Sequence, residues 1–63
     1  MIWELYEVWT VDEDGHEQLL DTTKSLKEAQ TMAEKALTDD IVECIIYEDR
    51  DGELFEIEVL VKE

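Results

Sequence analysis

Two segments of the chain, Asp12-Glu13-Asp14-Gly15 and Asp49-Arg50-Asp51-Gly52, set carboxylates at alternate positions ahead of a glycine. A calcium loop uses that spacing for its third, fifth and sixth positions, and Asp21 or Glu58 would then stand at the twelfth. The first ligand, however, would be Thr10 or Tyr47, and the residues around both segments are strand formers. Both segments are therefore read as hairpin turns with at most loose cation binding. His16 is the only histidine and stands by itself beside the first turn, and Cys44 is the only cysteine. A metal site needs several ligands at fixed spacing, which this pair does not provide. The only serine, Ser25, is taken up by a helix cap, and carboxylate pairs carry no information in a chain with 19 acids. No catalytic residue, metal or cofactor is assigned, and an enzyme is not expected.

The elements that would carry these residues read as hairpin, helix, hairpin. Residues 2–11 are rich in Trp, Tyr, Val and Ile, and Asp14-Gly15 turns them into a weaker returning strand at 16–22. Ser25-Leu26-Lys27-Glu28 is a capping box. Behind it Leu26, Ala29, Ala33, Ala36 and Leu37 recur at helical spacing, which predicts a helix from Leu26 to about Thr38. Its apolar face is mostly alanine, so it can lie close to a sheet. Residues 41–48 and 54–61 flank the second turn. A two-residue loop at Asp51-Gly52 would set Ile46 opposite Ile57, Cys44 opposite Val59 and Val42 opposite Val61, with Phe55 on the same face. Glu43, Glu48, Glu56 and Glu58 would then share the other face. In the first hairpin Trp3, Leu5, Trp9 and Val11 compete with Ile2, Tyr6 and Val8 for the buried side. The expectation is one α+β domain over residues 1–63: a two-layer ββαββ fold with a mostly antiparallel four-stranded sheet and one helix on one face. The strand order is left open.

Charge limits what such a domain can do. Nineteen acids against five bases give a net charge of −14 and a pI near 4.1. Direct binding to nucleic acid phosphates or to an anionic membrane is excluded by repulsion. No apolar run reaches the ~20 residues that span a bilayer, and no basic region precedes an apolar stretch at the N-terminus. With a lone cysteine, this points to a cytoplasmic protein. Hydrophobic residues make up 44% of the chain, too many for a disordered acidic tail.

The negative charge is also unevenly placed. Residues 24–38 hold Lys24, Lys27 and Lys35 against Glu28 and Glu34, while all the other acids face only Arg50 and Lys62. Strands and turns therefore carry the carboxylates. Solubility in a small domain needs a net charge of only about 2 to 8. Salt adaptation would favour Asp and Arg, yet Glu outnumbers Asp by 12 to 7 and four of the five bases are Lys. Rows of carboxylates on a rigid sheet could instead imitate nucleic acid phosphates and occupy a basic groove. The expected contact set is Glu43, Glu48, Asp49, Asp51, Glu56 and Glu58, with Ile45, Tyr47 and Leu60 as an apolar strip among them on the uncovered face. The expected partner is a basic protein surface, by way of a small acidic binding protein. The other reading is a homodimeric accessory domain, paired through the open sheet face or an edge strand, whose charge serves solvation.

A net charge of −14 on so small a body opposes folding. Added salt or millimolar divalent cations should raise the melting temperature. Lowering pH from 7 towards 5 should act in the same direction, on the expectation that crowded turn carboxylates bind protons more readily when folded. Calorimetry across salt and pH checks this, and a melting temperature flat in both would refute it.

Overall fold

The computed structural model describes residues 5–62. It contains β1 (Leu5–Asp12), β2 (Glu17–Thr23), α1 (Leu26–Ala36), β3 (Ile41–Arg50) and β4 (Glu53–Val61). The four strands form one antiparallel sheet in the order β2-β1-β3-β4, with the helix on one face. The expected ββαββ class is therefore observed, and the open question of strand order is resolved. The first strand of each hairpin lies at the centre. These are the strands whose apolar residues are buried, Tyr6 and Val8 on β1 and Cys44, Ile45 and Ile46 on β3.

Local chemistry accounts for the turns and the cap. The Asp12 carboxylate accepts the backbone N–H groups of Asp14 and His16, each at 2.9 Å, while Gly15 adopts φ 85°. Asp51 and Gly52 take φ 51° and 88°, the two positive values that a type I′ loop requires, and Gly52 N–H donates to Asp49 at 3.1 Å. Ser25 caps α1 by accepting the Glu28 N–H at 3.3 Å. The return half of the capping box runs through an extra residue. Glu28 accepts from the Thr23 hydroxyl at 2.7 Å, and Thr23 in turn accepts the Ser25 N–H.

The helix ends at Ala36, two residues before the expected Thr38, because Leu37 is already extended and packs against the core. Ala29 and Ala33 are fully buried against Val8, Cys44 and Ile46. The approach is close enough for the Cys44 thiol to donate to the Ala33 carbonyl at 3.4 Å.

Each strand pair contains one bulge, and the bulges correct the expected register. At the second turn the two-residue loop holds, with Arg50 opposite Glu53 and Tyr47 opposite Glu56. Ile57 is then an extra residue, so Ile46 faces Glu58, Cys44 faces Leu60 and Glu43 faces Val61. Beyond Ile57, Glu58 and Leu60 therefore turn to the helix side, and Val59 and Val61 turn to the open side. Glu48 also lies on the helix side rather than the outer face, because it stands two residues from Ile46 on an unbroken strand. In β1 the buried set is Tyr6, Val8 and Thr10. Leu5, Trp9 and Val11 thus face away from the helix, whereas Ile2 and Trp3 lie outside the described residues.

Ala33→Leu tests the alanine contact. Ala33 is fully buried and its carbonyl lies 3.4 Å from the Cys44 sulfur, so the larger side chain should destabilise the fold by about 1–3 kcal/mol in urea unfolding. A neutral outcome would show that the helix is not held at this distance.

Candidate functional site

The open face is best seen as rows running across the strands. The first row is Thr22, Glu7, Tyr47 and Glu56; the second is Leu19, Trp9, Ile45 and Val59; the third is Glu17, Val11, Glu43 and Val61. The middle row is wholly apolar, and the rows on either side hold two carboxylates each. Neighbouring strands lie about 4.8 Å apart and alternate residues about 7 Å apart. The four glutamates thus stand at the corners of a parallelogram around the apolar row: the members of each pair are about 10 Å apart, the two pairs are about 14 Å apart, and one pair is offset from the other by one strand. A further row, Leu5, Asp49 and Leu54, continues towards the second turn.

At the centre Trp9 and Tyr47 meet edge to face, with centroids 6.4 Å apart and planes at 87°. The Trp9 indole N–H donates to Glu7 at 3.0 Å, which fixes the ring. Ile45 is only 6% exposed although no helix covers it, so the side chains on this face pack against one another. The Tyr47 phenol is pushed up from its ordinary value, first by burial and then by the charges of Glu17, Glu56 and Glu43. Three of the four glutamates therefore act on one hydroxyl.

Among the described residues every base lies elsewhere. Lys27 and Lys35 are on α1 and Lys24 is in the connection leading to it. Lys62 pairs with Asp39 at 3.0 Å. Arg50 pairs with Glu48 and lies over the Phe55 ring at 5.8 Å.

The expected contact set is thus divided. Glu43, Asp49, Glu56, Ile45 and Tyr47 lie on the open face, and Asp51 is in the turn. Glu48, Glu58 and Leu60 do not join them. Glu48 is 7% exposed and neutralised by Arg50, Glu58 accepts from Gln30 at 2.9 Å, and Leu60 packs against the core. Sequence reasoning missed Glu7, Glu17, Trp9 and Val59. The placing of Glu7 two residues before Trp9 was the available signal, since a charge on that side of β1 argues for the odd positions facing out.

The residues first considered for chemistry are in separate places. Ser25 is the cap, and Cys44 is buried beneath α1, its thiol pushed up by burial and by Glu43. His16, expected to stand alone, instead approaches Asp12 at 3.5 Å, and with Asp14 they form a group whose ligand atoms lie within 4.8 Å. The backbone donors on Asp12 account for this group as a turn. They also correct the expected titration there. The Asp12 carboxyl is held below its ordinary value, chiefly by the His16 N–H, so its contribution is present at neutral pH and is lost as acid protonates the folded form.

Ultraviolet titration checks the rows. Tyr47 should ionise above the usual tyrosine range, assigned by Tyr47→Phe. Replacing Glu17, Glu43 and Glu56 by Gln should lower that value while leaving it raised, because burial is the larger cause. No change would mean that the corners do not face Tyr47.

No protein-family model matches the chain, and neither a curated protein nor a solved structure is found to be similar to it.

Proposed function

We propose that the protein is a small acidic binding protein that occupies the basic surface of a nucleic-acid-handling partner and so blocks it. One observation carries the reading. Four glutamates surround an apolar row on a rigid sheet, and all five bases lie on other parts of the molecule. A surface evolved to hold phosphates presents lysine and arginine, and complementary potential steers such a surface onto this face. A large share of the association should therefore depend on salt.

The immobilised protein should retain a basic partner at low salt and release it as salt rises. Added to that partner in purified form, it should abolish nucleic acid binding. Recovery of nothing basic at low salt, or a captured partner that still binds nucleic acid, would refute the proposal.

A second reading, the homodimer, is favoured by β4. Leu54, Phe55, Ile57, Val59 and Val61 are all at least 41% exposed on this edge strand. Pairing two copies through β4 would bury them without joining the two acidic faces. Sedimentation should then show a dimer that grows with salt and is lost when a proline replaces Ile57. A monomer at every salt concentration would remove this reading.

A further inference from the structure

Resting on the binding role just proposed, we infer that the centre of the open face takes an arginine side chain of the basic partner, its guanidinium laid against Trp9 and Tyr47 between the two glutamate pairs. Imitating phosphates needs only carboxylates at the right spacing, yet the middle row here is apolar and aromatic. A lysine ammonium is compact and strongly hydrated, and would gain little from that row. A guanidinium is planar and weakly hydrated, so it can lie on a ring while its N–H groups reach two carboxylates. Trp9 and Tyr47 stand perpendicular to one another, so a guanidinium that lies on one ring meets the other.

The molecule already contains this combination on its other side, where Arg50 lies over Phe55 and pairs with Glu48. A second copy does not fit as the occupant. Its open face has no base, its Arg50 is engaged, and two sets of four glutamates would repel.

The test uses a Trp3→Phe chain, in which Trp9 is the only tryptophan, with octa-arginine and octa-lysine peptides as probes at about 0.15 M salt. Octa-arginine should bind roughly two- to fivefold more tightly, as an exposed cation–π contact would give, and should change the Trp9 emission. Trp9→Leu keeps the row apolar and should erase the preference, bringing the two peptides to equal affinity. Should that variant not fold, Glu17→Gln with Glu43→Gln should weaken both peptides and reduce the preference for arginine. Equal affinities, a preference that survives Trp9→Leu, or amide shifts confined to the helix side would overturn the inference while the binding role stands. Failure of both peptides to bind even at low salt would overturn the binding role as well.

Discussion

One helix covers one face of a sheet. An eleven-residue α1 is about 16 Å long, whereas the ten residues of β3 extend about 33 Å. The alanine contact at Ala29 and Ala33 lets this short helix approach closely enough to seal Val8, Cys44 and Ile46. It cannot do anything for the opposite side. The open face must therefore be stable against water with its own side chains, and the burial of Ile45 among Trp9, Tyr47 and their neighbours is the result. An apolar centre there is a structural necessity of a sheet with only one helix.

Charge follows from the same inequality. On the helix side three carboxylates have partners: Glu48 has Arg50, Glu58 has Gln30, and Glu28 has Thr23. The connections that carry Lys24 and Asp39 also belong to that side. On the open face Glu7 accepts from Trp9, while Glu17, Glu43 and Glu56 converge on the Tyr47 hydroxyl with no cation on that face. The net charge of −14 is thus unevenly spread, with carboxylates and no base on the open face.

Much of the fold was legible in the sequence because its signals are local. The Asp-Gly turns, the Ser25 cap and the helical spacing of alanines each depend on a few neighbouring residues, and each is present. The candidate site was less legible. Its membership depends on register, and register here is altered by bulges at Leu20, Val42 and Ile57 that have no glycine or proline to announce them. Strand order likewise rests on the pairing of β1 with β3, residues 29 to 44 positions apart, which no short pattern encodes. Glu48 shows the remaining difficulty. A charge suggests an outer face, but alternation from Ile46 puts it inside, and Arg50 makes that position tolerable.

The two edge bulges also decide what the open face is. Were β4 regular, the loop register would carry Glu58 beside Ile45 and put Val59 against the core. The extra Ile57 exchanges them, so that Val59 completes the apolar row and Glu58 reaches Gln30 on the helix. On β2 the extra Leu20 lets Leu19 stand beside Trp9, with Leu20 turned towards Met32 on α1. Both ends of the row Leu19–Trp9–Ile45–Val59 are thus set by an inserted residue on an edge strand. A bulge weakens the ladder at the edge, where the fold has least to gain from regular pairing, and re-aims the side chains that follow. The sheet in this way gives up local regularity at its margins and obtains an uninterrupted apolar row between two pairs of glutamates.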